Sequence, residues 1–277
     1  MPAEGELDDM IAAIAHLGLL DDEDIPLDIA ALELSALDHE GVDLVPYAAK
    51  LAEIEAELRD ADDDAESGTE QAELLARILS GRHGLTGDTA SYDAPLNADM
   101  IRVLDRRRGL PISLSILYVA MARRLGWSAD ALNTPGHVLV RLGPPDDSVV
   151  IDPFHDGALI TPEALVNLLR RSLGPAASYD QRHVAPMTNR MVLVRLLLNQ
   201  ATRAQAEGDS GRALTIYQRI VEVAPSNGQG WWDLARLQIA AGRVEDARTS
   251  LSAMLEITRD ADTRAHIAAA LEALAGR

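Results

Sequence analysis

The chain has 277 residues, 47% hydrophobic and 25% charged, so it is long enough for two or three packed units and has the composition of a globular protein. A net charge of −19 disfavours a phosphate backbone as partner, and no apolar run is long enough to cross a bilayer. Cysteine is absent, which excludes disulfides, thiolate metal ligands and thiol nucleophiles together. The acidic opening MPAEGELDDM is unlike a secretory signal, and a cytoplasmic protein is expected.

Residues 1–80 carry 23 Asp or Glu against 3 Lys or Arg and form an acidic helical N-terminal segment. Within it, IPLDIAALELSALDH and LVPYAAKLAEIEAELRDA space their apolar residues as amphipathic helices do, each with a proline near its start. The run DADDDAESGTEQ, residues 60–71, lacks apolar anchors and predicts a solvated loop. AELLARILSGRHGL predicts a helix closed by Gly81 or Gly84, and SYDAPLNADM a turn-rich connection.

Residues 81–185 predict an α+β core. In GLPISLSILYVAMARRLG, Gly109 to Gly126, apolar residues surround the helix on nearly every side, which predicts a central buried helix opened by Pro111. Beyond it HVLVRL and SVVIDP alternate as strands around the turn residues GPPDD, a hairpin. Pairing Leu142 with Asp147 sets His137 opposite Asp152, with Cβ atoms ~4.5–5.5 Å apart. A carboxylate there can orient an imidazole as a general base; equally, the two can form a structural pair bridging strands. His155 and Asp156 follow in PFHDG and add N and O donors, a weak metal signal, so neither metal nor cofactor is expected. The basic run Arg106, Arg107, Arg108 is expected to pair internally with the acidic segment.

Residues 190–277 predict helical repeats. Gly208 recurs as Gly242 and Ala213 as Ala247, each 34 residues apart, with Pro225 closing a unit and Trp231 placed as the tetratricopeptide pattern requires.

Taken in order, YDAPLN, RVLDRRRG, GLPISLSILYVAMARRLG, PGHVLVRL, VIDPFHDG and the repeats resemble the bacterial SirB-type family of transglutaminase-like proteins. The resemblance implies a papain-like core with a Cys–His–Asp triad, the Cys at the start of the central helix. On that pattern Pro111 stands at the nucleophile position, and His137 and Asp152 match the other two members. A proline has neither thiol, hydroxyl nor N–H to offer. Ser115, one turn deeper, is a poor substitute that is expected to bond back to the carbonyl of residue 111, while Ser113 faces away. The resemblance therefore implies a degenerate triad and a protein-binding or regulatory module, with a protein or peptide partner held by the repeats or the cleft and neither nucleic acid nor membrane. The alternative is a hydrolase or acyl transferase using His137 and Asp152 with a water or Ser nucleophile.

Overall fold

The computed structural model describes residues 14–62 and 65–275. The acidic opening MPAEGELDDM and the middle of the acidic run at 63–64 lie outside the described residues. The described residues separate into two compact units, one within Asp21–Leu193 and one formed by residues 14–20 with 194–275.

The first unit is α+β. Its helices are α1 (Leu27–Ala36), α2 (Val45–Asp60), α3 (Gly68–Leu75), α4 (Met100–Arg106), α5 (Pro111–Arg124) and α6 (Pro162–Leu173). A parallel pair joins β1 (Thr86–Gly87) to β2 (Arg108–Gly109), and a four-stranded antiparallel sheet runs β3 (Ala129–Leu132), β4 (Leu139–Leu142), β5 (Val149–Asp152), β6 (Ala158–Leu159) in that order. Pro26 stands at the N-cap of α1 and Pro46 lies in the first turn of α2. Helix α2 buries the expected stripe of Leu51, Ile54 and Leu58. Helix α1, expected to be amphipathic, is instead enclosed all round, with Asp28 and Ser35 buried beside its apolar residues and none of its positions exposed. The expected loop over 60–71 is shorter than the charge density suggested. Ser67 and Glu70 form a reciprocal capping box that starts α3 at Gly68, because the serine hydroxyl and glutamate carboxylate satisfy two otherwise orphaned N–H groups. The helix continues through a π-helical turn over Ala76–Arg82, and Gly84, at φ +68°, ends it.

Central to this unit is α5, whose residues 111–122 are all buried. It lies against α1, β3, β4 and the 3-10 turn Pro153–His155. Each Leu or Ile enclosed this way contributes about 1.5–3 kcal/mol of transfer free energy, so the all-round apolar pattern dictates an interior position. Pro111 is comfortable at the first helical position, where no N–H is needed.

The segment before α5 is held by polar bonds. Asn97, 0% exposed, donates to the carbonyl of Ser91 at 2.7 Å and accepts from Arg106 at 2.8 Å. The Asn97 carbonyl accepts from the Leu110 amide at 3.1 Å and from the Ser113 hydroxyl at 2.6 Å. Arg106 also pairs with Asp88 at 2.8 Å, and Arg108 donates to the Gly84 carbonyl at 3.1 Å. The expected internal pairing of this basic run thus occurs, but with Asp88 and turn carbonyls rather than with the acidic segment over 1–80. These groups lie next to one another along the chain's return from β1 to β2, so local geometry wins over distant net charge.

The second unit is helical: α7 (Asn189–Ala206, belonging to this unit from Val194), α8 (Ser210–Val223), α9 (Gly228–Ala240), α10 (Val244–Ile257) and α11 (Ala261–Ala275). Its boundaries repeat with the period read from the sequence. Ala206 and Ala240, Ser210 and Val244, and Val223 and Ile257 are each 34 residues apart. Gly208 and Gly242 both turn in the left-handed region, at φ +78° and +75°, as helix-ending residues without a Cβ readily do. Ala213 and Ala247 are both 0% exposed, the small side chain letting neighbouring helices approach. Leu251 and Met254 join Ala235, Ala247, Ile267 and Leu274 in one apolar cluster, with Trp231 packed against it.

Candidate functional site

The site is assembled at one end of the four-stranded sheet. Asp152 ends β5, where its side chain accepts from the Phe154 amide at 3.0 Å and fixes the turn Pro153–His155. His137 lies in the loop just before β4, and its Nε2 stands 2.9 Å from both carboxylate oxygens of Asp152. His155 Nδ1 approaches Asp152 Oδ2 at 2.7 Å. The carboxylate, 2% exposed, therefore receives two imidazoles and an amide. Burial by itself would push the Asp152 carboxyl up, but hydrogen bonding and the charge of His137, then of His155, outweigh burial and hold it below the usual carboxylate range.

The three side chains line a cavity of about 260 Å³ together with Gly136, Arg171 and Ser172. Gly136 has φ +73°, and a Cβ there would overlap the Ser172 hydroxyl of α6, so this glycine admits the helix end beside His137. On the other side, the Phe154 ring meets the His137 ring edge to face at 6.0 Å and the Tyr92 ring at 5.6 Å. The Phe154 carbonyl and ring press on Gly87 of β1, which pairs with Gly109 two residues before Pro111.

Residues 46–198 match the transglutaminase-like superfamily, more than half of the chain, and residues 204–274 match the tetratricopeptide repeat. The chain belongs to the transglutaminase-like superfamily. UPF0162 proteins of two Xylella fastidiosa strains are similar to it at 29% identity, the alignment with the 9a5c strain covering 87% of each chain. A UPF0162 protein of Pseudomonas aeruginosa is 32% identical over 163 residues, 59% of each chain. F-box only protein 21 of Homo sapiens is 35% identical over 123 residues, 42% of this chain and 19% of its own.

Within this transglutaminase-like core, the hairpin register differs from the expected one. Leu142 faces Val149, not Asp147, so the strands are offset by two residues and His137 is not directly opposed to Asp152. A shift of two keeps the strand side chains on their original faces, and the two still meet because the loop before β4 carries the His137 ring onto Asp152 at the end of β5. The longer turn, residues 143–148, absorbs the difference.

Ser115 departs from expectation. It is 0% exposed and its hydroxyl, rather than bonding to the carbonyl of residue 111, has no partner among the described residues. The Tyr118 hydroxyl one turn on is likewise buried and unpartnered; burial, with the nearby Asp156 and Asp152 charges, pushes its phenol well above its ordinary range. Asp156 turns away from the imidazoles to accept from the Ser80 hydroxyl at 2.9 Å. Pro111 is buried and is not among the residues lining the cavity.

Sequence reasoning passed over α6, which supplies Arg171 and Ser172 to the cavity. Its signal was present: Thr161 caps it, Pro162 opens it, and Leu165, Leu168 and Leu169 form its buried stripe. Strands β3 and β6 were missed as well. Both are short, and β6 is exposed at both positions, so neither carries an alternating pattern long enough to read.

Proposed function

We infer that this transglutaminase-like protein performs no thiol-dependent acyl transfer and acts by binding a protein or peptide segment through its tetratricopeptide unit. The observation that carries the reading is the conjunction of a transglutaminase-like core over 46–198 with a chain containing no cysteine. A papain-type mechanism needs a thiolate near a helix N-terminus with an imidazole in reach. Where the resembling enzymes place that thiol, this chain has the ring of Pro111. Ser115 is enclosed by its own helix and neighbours, so a hydroxyl nucleophile from that position has no path to an acyl group. The match of 204–274 to a repeat whose stacked helices present extended binding surfaces supports the partner-binding role.

A second reading rests on one geometric fact. His137 is bonded to Asp152 and both line a cavity, which is the arrangement of a general base oriented by a carboxylate. In that reading a water in the cavity attacks an acyl substrate, giving up its proton to His137, and the imidazolium returns that proton to the leaving amine or alkoxide as its bond to the acyl carbon breaks.

One experiment separates the two. The full chain is panned against a displayed peptide library, and in parallel assayed for amide and ester hydrolysis and for amine incorporation. Binding predicts an enriched peptide motif whose affinity falls at least about tenfold on substitution of exposed repeat residues, with no turnover in wild type. Turnover that disappears in His137→Ala would overturn the binding reading in favour of the hydrolase, and the absence of any enriched motif would remove the case for the repeats.

A further inference from the structure

A general base needs one carboxylate to orient it, and Asp152 does that for His137 alone. The second imidazole, that of His155, has no part in such a dyad, yet it reaches the same carboxylate at 2.7 Å. One ring nitrogen each of His137 and His155 and an Asp152 carboxylate oxygen all lie within 4.8 Å of one another. Among the described residues, the side chains bonded to Asp152 are the two imidazoles alone, and no ion pair joins it to an Arg or Lys.

We propose that His137, Asp152 and His155 bind a divalent transition-metal ion of the zinc class, with its remaining coordination positions opening on the cavity. Four considerations carry this assignment, and it is independent of whether the repeats bind a partner.

Distance comes first. Zinc bonds of about 2.0–2.1 Å in a tetrahedral arrangement separate neighbouring ligand atoms by about 3.3 Å. The nitrogen-to-oxygen separations here are 2.9 and 2.7 Å, so an ion enters by spreading the three groups about half an ångström. The His137 and His155 rings stand 6.0 Å apart between centroids and tilted by 34°, converging on the carboxylate without stacking on one another.

Charge comes second. Asp152, 2% exposed, is a buried carboxylate with no ion pair to an Arg or Lys among the described residues, and a dication seated between it and two imidazoles supplies the opposite charge. The donor set is third. Two imidazole nitrogens with one carboxylate suit zinc and its neighbours in the first transition row, whereas calcium and magnesium require mostly oxygen. With no cysteine in the chain, no thiolate alternative exists.

Access is fourth. The side chain of His155 is 63% exposed and the adjoining cavity of about 260 Å³ is many times the about 10–15 Å³ that one water requires. Three protein ligands with an open position filled by water is the pattern of catalytic rather than purely structural zinc. The cavity also contains Arg171, which gives an anionic co-ligand a counter-charge. The ligand spacing, His137 then Asp152 then His155 three residues on, is provided by a loop, a strand end and a 3-10 turn, and the Asp152 bond to the Phe154 amide pre-sets the carboxylate.

The test uses the full chain, stripped with a chelator and titrated with Zn²⁺ in equilibrium dialysis with metal analysis, and with Co²⁺ for its visible absorption. One equivalent of Zn²⁺ per chain is expected, with affinity falling at least about a hundredfold in His155→Ala and in Asp152→Asn. Bound Co²⁺ should give a coordination band that disappears in His155→Ala. His39→Ala, which breaks the separate His39–Asp99 pair, should leave both readouts unchanged. Because Asp152 is buried, its variant is read together with a thermal melt; His155 is exposed enough that its variant keeps the fold and decides alone. Failure of wild type to take up a stoichiometric equivalent, or undiminished uptake in His155→Ala, overturns the proposal.

Discussion

Gly136→Ala tests how the cavity wall is built. Two separable penalties act at this position. A residue with a Cβ at φ +73° pays about 1–2 kcal/mol for the left-handed backbone. The added methyl would also overlap the Ser172 hydroxyl and come within 3.0 Å of the Ser172 Cβ, an overpacking cost of about 1–3 kcal/mol. Together they predict a loss of about 2–5 kcal/mol. A double-mutant cycle separates the two, because Ser172→Gly removes the obstacle without altering the backbone at 136. About 1–3 kcal/mol, the overpacking share, should be recovered in the double variant, leaving the backbone share. The assay is urea-dependent hydrogen exchange of peptides from β3 to β5, which reports this unit separately from the repeats. A coupling of zero would show that α6 does not pack on the His137 loop as the structure has it, and the cavity assignment would fall with it.

Asp88 contributes a pH dependence. Its hydrogen bond from Arg106 outweighs burial and holds its carboxyl below the usual range, so it stabilises the folded state above the unfolded pKa of about 4, and that stability is lost as pH falls through the lower folded value. Asp88→Asn should lower stability at pH 7 and flatten the acid limb of a melting-temperature profile; an unchanged acid limb refutes the pairing. Tyr118→Phe and Ser115→Ala remove buried hydroxyls that have no partner among the described residues, and each should be neutral or stabilising by up to about 1 kcal/mol in a thermal melt. Destabilisation beyond about 1 kcal/mol would reveal a bonding partner for either hydroxyl. Leu251→Ala, at 1% exposure within the repeat cluster, should cost about 2–4 kcal/mol and strip exchange protection from α10, while protection of the four-stranded sheet stays at its wild-type level. Protection of α10 unchanged by the substitution would refute the cluster.

What the sequence by itself determined was whatever repeats locally. The helical period around Gly109 to Gly126 marks a buried helix because apolar residues on every side leave no face for water, and α5 is enclosed along residues 111–122. The 34-residue period survives intact in helix boundaries, since each repeat packs mainly on its neighbour and so carries its own signal. The absence of cysteine likewise needed no structure. Strand register was legible only to its parity. Side chains alternate with period two, so an offset of two residues left the faces of β4 and β5 as expected although their pairing was misassigned, and the loop before β4 then brought His137 to Asp152. Tertiary structure decided the remainder. Arg106 found Asp88 rather than the acidic segment, the Ser115 hydroxyl was buried without a partner among the described residues, and α6 brought Ser172 against Gly136. The convergence of His155 on Asp152 is of the same kind. It depends on a 3-10 turn whose shape is set by one side-chain-to-amide bond, and a linear spacing of three residues does not say whether two side chains turn toward a common point or apart.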